Sequence, residues 1–97
     1  MRVISRKWLT ELARRHPDAK PGPDAWFHET EGADWANPAH VKAQYATASI
    51  LKNGRVVFNI GGNKYRLVVR INYAYRVVYV RFAGTHSEYD QIDAEQM

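Results

Sequence analysis

The chain has 97 residues, 45% hydrophobic and 25% charged, which fits one globular domain over residues 1–97 and excludes wholesale disorder. It has no cysteine, which excludes disulfide scaffolds, thiol catalysis and cysteine-ligated zinc. Its apolar runs are too short to span a membrane, and MRVISRKWLTELARR lacks the apolar core of a signal peptide, so the expected location is the cytoplasm.

MRVI reads as a short strand. Ser5 is the expected N-cap of a helix over Arg6 to His16, with Trp8, Leu9, Leu12 and Ala13 on one face and Arg14 and Arg15 where a helix C-terminus favours cations. Pro17 and Asp18 stop it. A second helix is predicted from about Pro23 to Glu31, burying Trp26, Phe27 and Trp35 from the segment that follows. Asn37 and Pro38 open a third, running to about Tyr45. After Asn53-Gly54 the period changes. Arg55–Ile60, Lys64–Tyr73 and Arg76–Ala83 are rich in Val, Ile, Tyr and Phe and read as a three-stranded antiparallel meander. Gly61-Gly62-Asn63 makes its first hairpin turn, since these residues tolerate positive φ. No P-loop spacing surrounds the glycines and no helix follows, so a phosphate-cradling role is not indicated. The residues from about Ser87 form a helical turn.

The formal net charge is +4, and its distribution matters more than its size. No carboxylate lies between Trp35 and Ser87, while Lys42, Lys52, Arg55, Lys64, Arg66, Arg70, Arg76 and Arg81 do. Such a basic half, closed by a short acidic tail, points to a polyanionic partner. Strand alternation sharpens this. Tyr65, Leu67, Val69, Ile71 and Tyr73 share one face with Val56, Phe58, Ile60, Val78, Val80 and Phe82, and this face is expected to pack under the N-terminal helices. The other face carries Asn59, Arg66, Arg70, Tyr79 and Arg81. Clustered guanidiniums repel one another unless an anion sits among them. Three around one depression can hold a phosphodiester and stabilise a phosphorane-like transition state, and tyrosines can stack bases.

His16, His28, His40 and His86 show no metal-ligand spacing, so no metal or other cofactor is expected. After the last strand, Thr85-His86-Ser87-Glu88-Tyr89-Asp90 offers His86, which titrates near neutrality, with Tyr89 three residues on. The segment also reads structurally: Thr85 capping a short helix, His86 solvated and Tyr89 anchoring the tail. On charge and alternation alone, a non-catalytic RNA- or DNA-binding module and a domain for an acidic protein partner remain open.

The run Val57 to Leu67 (VFNIGGNKYRL), then Val80-Arg81 and Gly84 to Asp90 (GTHSEYD), resembles the HigB family of toxins in type II toxin–antitoxin systems, within the wider RelE-like group. The resemblance implies an α+β, RelE-like fold with N-terminal helices on one face of a small antiparallel sheet. It implies a metal-independent endoribonuclease, an mRNA interferase that cuts the message in the ribosomal A site by attack of the RNA's own 2′-hydroxyl. It also implies the ribosome, mRNA and a HigA-type antitoxin as partners. By motif, Lys64, Arg66, Arg81, His86 and Tyr89 are the catalytic candidates, the first three holding phosphate and stabilising charge, His86 moving a proton and Tyr89 orienting a base or assisting that transfer, with Asp90 nearby and expected to pair with an arginine rather than to act in catalysis. Arg55, Arg70, Tyr79 and Lys52 are the RNA-binding candidates.

Overall fold

A computed structural model describes residues 1–19 and 21–97. Among the described residues four α-helices and a 3-10 turn (Pro17–Ala19) accompany a five-stranded sheet of order β1-β5-β4-β3-β2. The predicted meander is its centre: β3 (Arg55–Ile60), β4 (Tyr65–Asn72) and β5 (Val77–Thr85), paired antiparallel. Two short edge strands extend it. β1 (Arg2–Ile4) runs parallel to β5, and β2 (Ser49–Ile50) pairs antiparallel with β3. The sequence does not announce β2, because two exposed residues show no alternation.

α1 (Lys7–Arg15) follows β1 at once, and here the expected cap differs. Ser5 stands at φ 67°, in the left-handed region, so the N-cap is Arg6, which makes no side-chain capping bond. Hydrogen bonding fixes β1 along β5, and the chain must turn sharply to lay α1 back over that strand; Ser5 takes the turn. α2 (Pro21–Glu31) begins two residues before the predicted start, since Pro21 and Pro23 both fit a first turn that needs no backbone donor. α3 (Pro38–Gln44) is capped as expected, with Asn37 Oδ1 accepting from the His40 N–H at 3.1 Å. Gly61, Gly62 and Asn63 stand at φ 63°, 66° and 71° in the β3–β4 turn.

The main core lies between the helices and one sheet face. Phe58 is its aromatic centre, with Trp26 edge-on at 5.5 Å, Trp35 stacked at 5.9 Å and Tyr45 edge-on at 5.1 Å. Leu9, Leu12, Val56, Leu67, Val69, Val78 and Val80 complete it. Regular alternation places Phe82 here too, and the structure does not. Val69 pairs with Val80 but Val68 pairs with Phe82, so Arg81 is the extra residue of a β-bulge. The insertion reverses the parity of β5, and Phe82 joins Val57, Val68 and Ala94 in a second cluster on the opposite face. Trp8 reaches that cluster from α1, with its ring 5.6 Å from that of Phe82. Tyr89, Ile92, Met97 and Leu51 also pack on it. The opposite face is therefore not an open platform; the C-terminal segment covers its centre. Among the described residues no helix is long and apolar enough to cross a membrane.

Phe82→Ala is expected to destabilise the protein by about 3–5 kcal/mol in urea unfolding. A Trp8–Phe82 double-mutant cycle should show coupling of about 0.5–1.5 kcal/mol. Additive losses would show that the two rings do not interact.

Candidate nucleic-acid interface

Cross-strand register builds the basic face in rows. Asn59, Arg66 and Gly84 lie opposite one another; next come Val57, Val68 and Phe82; then Arg55, Arg70 and Tyr79. The apolar middle row, with the C-terminal segment on it, separates Arg66 from the others. The structure thus brings the candidates together in two groups rather than one.

The larger group surrounds a groove of about 1100 Å³ at one end of the sheet. Arg55, Arg70, Tyr79 and Arg81 line it, with Asn53 and Tyr73 beside them. Among the described residues no carboxylate lines it. Arg81, displaced from the ladder by the bulge, sets its guanidinium carbon 5.6 Å from the Tyr79 ring centre. Arg55 and Arg70 are directly opposed in register, where like charges destabilise a strand pair by about 0.2–1 kcal/mol. Among the described residues neither they nor Arg81 has a carboxylate in ion-pair reach, although Arg15 finds Glu88 at 2.6 Å and Arg76 finds Asp34 at 2.6 Å. The Nε of Arg55 is buried with no hydrogen-bond partner. Such a charged donor left unmade costs about 1–3 kcal/mol or more. Burial also raises the pKa of the Tyr73 hydroxyl, which therefore stays protonated near neutrality.

The smaller group forms where β4 and β5 meet α4 (His86–Asp90). Arg66 Nη1 donates to Asn63 Oδ1 at 3.0 Å, and its guanidinium carbon lies 5.9 Å from the Tyr89 ring centre. Lys64 is exposed in the adjoining turn, and Lys52 is exposed before β3, outside the groove. α4 is fixed by a capping box: Glu88 N–H donates to Thr85 Oγ1 at 3.2 Å, and Thr85 N–H donates to Glu88 Oε1 at 2.9 Å. Gly84 permits this approach, because a Cβ there would meet Glu88 Oε1 and Phe82 Cζ, each at 2.8 Å. The Thr85 N–H and then Arg15 hold the Glu88 carboxyl below its ordinary 4.5, so its stabilisation is present above that value and is lost as pH falls through the lowered one. Two readings of this segment change. His86 is not fully solvated, since its Nε2 is buried and has no hydrogen-bond partner among the described residues. Asp90 is exposed and has no ion pair among the described residues; Arg66 faces Tyr89 instead.

Sequence reasoning missed Asn63, Asn53 and Tyr73. The asparagines read only as turn residues, and Tyr73 read as a core residue of β4. Among the described residues no three His, Asp or Glu side chains form a metal-ligand group.

An α+β domain with a basic, carboxylate-free groove and a capped helix closing its last strand is thus the class of protein in hand. Residues 20–92 match the HigB toxin family, the RelE-like toxic component of a toxin–antitoxin system, and the chain belongs to that family. It is 29% identical over 92 residues to the mRNA interferase toxin HigB of Escherichia coli K12, covering 93% of this chain and 88% of that protein. It is 24% identical over 94 residues to the mRNA interferase HigB of Escherichia coli O6:H1, covering 95% and 91%.

Replacing Arg70 by Thr, a good strand former, is expected to stabilise the protein by about 0.2–1 kcal/mol at low salt by relieving its opposition to Arg55. The gain should shrink as salt screens the pair. An unchanged or lower unfolding midpoint at low salt would show that the two guanidiniums do not repel.

Proposed function

We propose that this chain is a toxin that acts as an mRNA endoribonuclease, cutting the message in the ribosomal A site, and that a HigA-type antitoxin neutralises it. The observation that carries the reading is the groove in which Arg55, Arg70 and Arg81 stand without a carboxylate, two of them directly opposed. That arrangement costs stability in the free protein and is relieved by an anionic strand. The names of the relatives, both mRNA interferases, supply the chemical class of that strand.

In this reading Arg55, Arg70 and Lys52 hold the RNA backbone and Tyr79 stacks a base. The scissile phosphate lies by Arg66, with Arg81 reaching it from the bulge. No metal takes part. The RNA 2′-hydroxyl loses its proton and attacks the adjacent phosphorus, and the bond from phosphorus to O5′ breaks. A proton delivered to O5′ completes the step, leaving a 2′,3′-cyclic phosphate and a 5′-hydroxyl. Arg66, Arg81 and Lys64 stabilise the charge that grows on the non-bridging oxygens, donors aimed at developing charge being the strongest contribution available to such a site. His86 exchanges a proton, and Tyr89, held under Arg66, orients a base or assists the transfer.

Purified protein in a cell-free translation reaction should give new mRNA ends at fixed positions within codons, and none on the same RNA without ribosomes. Those ends should be 5′-hydroxyls, which polynucleotide kinase labels directly. Arg66→Ala and His86→Ala should each lower the rate by about a hundredfold or more while remaining folded. Cleavage of naked RNA removes the ribosome from the reading, and 5′-phosphate ends remove the 2′-hydroxyl route. Salt-dependent RNA binding with no cleavage leaves a non-catalytic binding module.

A further inference from the structure

α4 carries two of the groups assigned to the chemistry, yet it has five residues and none of them is buried. A helix that short does not hold itself together in water. Its place is set from outside: Tyr89 packs on the second cluster, and Glu88 makes two further contacts. Glu88 uses both carboxylate oxygens: Oε1 accepts from the Thr85 N–H at 2.9 Å, and Oε2 takes Arg15 Nη1 at 2.6 Å. Arg15 is the last residue of α1, where a cation also suits the helix C-terminus. Glu88 therefore ties the first turn of α4 to α1, 73 residues away in sequence. His86 precedes it by two positions and Tyr89 follows it directly. Both oxygens are charge-assisted acceptors, so neither contact is replaced by a neutral side chain at equal strength.

We propose that Arg15 and Glu88 are positioning residues for cleavage, their ion pair holding His86 and Tyr89 in register with Arg66 on β4. The assignment rests on the nuclease reading for its consequence, but its structural half stands alone. Gly84 supports it from below: a Cβ there would meet Glu88 Oε1 at 2.8 Å, so the carboxylate sits against a residue with no side chain. Arg15 thereby has a partner that the groove arginines lack, so its role is distinct from theirs.

Two measurements on the intact protein test this. In hydrogen exchange, Arg15→Ala and Glu88→Gln should speed exchange of the amides of residues 85–91 and leave those of the centres of β4 and β5 unchanged. In translation-coupled cleavage, Arg15→Ala should lower kcat about tenfold to a hundredfold with KM unchanged, because misplacement of reacting groups acts on the step and not on binding. Arg15→Lys, which keeps the ion pair, should recover most of that loss. A raised KM with unchanged kcat would make Arg15 an RNA contact instead and overturn the proposal. Unaltered exchange in α4 would overturn it whatever the cleavage rates. Altered exchange with wild-type protein that cleaves nothing would sink the nuclease reading and the positioning role with it, while the Arg15–Glu88 tether itself would survive.

Discussion

The extra residue that Arg81 adds to β5 sets the terms for both faces of the sheet. A strand sends successive side chains to opposite faces, so one unpaired residue exchanges the faces of everything beyond it. Before the bulge, Val78 and Val80 enter the main core and Tyr79 lies opposite Arg70; after it, Phe82 turns to the second cluster and Ala83 returns to the first. Without the shift, Phe82 would crowd the aromatic group around Phe58, and Val57 and Val68 would lose their large partner. The same shift brings Gly84 opposite Arg66, where its missing side chain admits the Glu88 carboxylate. The groove, the second core and the start of α4 thus follow from one irregularity in one strand pair.

Because β4 is buried on both faces, the protein tolerates an electrostatically unfavourable end. Leu67, Val68 and Val69 are each 0% exposed, although they alternate in direction. Each such aliphatic side chain contributes about 1.5–3 kcal/mol on burial, against about 0.2–1 kcal/mol lost to one opposed pair of like charges. Repulsion between Arg55 and Arg70 therefore weakens the fold only slightly. Carboxylates are not scarce elsewhere: Glu88 holds Arg15, Asp34 holds Arg76, and Glu29 accepts the Tyr45 hydroxyl at 2.6 Å. These three acids fasten one segment of the chain to another, while Arg55, Arg70 and Arg81 line the groove without one.

Much of this is written locally in the chain. The Asn37-Pro38 cap, the Gly-Gly-Asn turn and the Val- and Tyr-rich strands each depend on neighbouring residues only, and the structure has them where the pattern predicts. The departures arise where tertiary pairing decides. Ser5 gives up its capping role because β1 is held by a strand over seventy positions away. The bulge leaves no trace in the alternation of Val77 to Ala83, which reads as well in one register as in two. For the site, the residue types were legible from the absence of carboxylates between Trp35 and Ser87. Their grouping was not, since whether Arg81 sits beside Arg66 or Arg70 depends on that bulge and on what covers Val68.

The C-terminal segment decides how a nucleic-acid strand can lie on this face. It crosses the middle row, and the depression it forms with Leu51 is lined by Asp90, Asp93 and Glu95. Carboxylates repel phosphates, so in the proposed mode of action a strand held in the groove does not run straight over the sheet from Arg70 to Arg66. Those residues are four apart on β4, roughly 13 Å at the rise of a strand. On β5 the bulge puts Arg81, which lines the groove, at the level of Val68, one row nearer to Arg66 than Arg70 is. In the proposed mode of action Arg81 is therefore the link between binding and chemistry. In that mode the acidic segment repels the backbone while the arginines attract it.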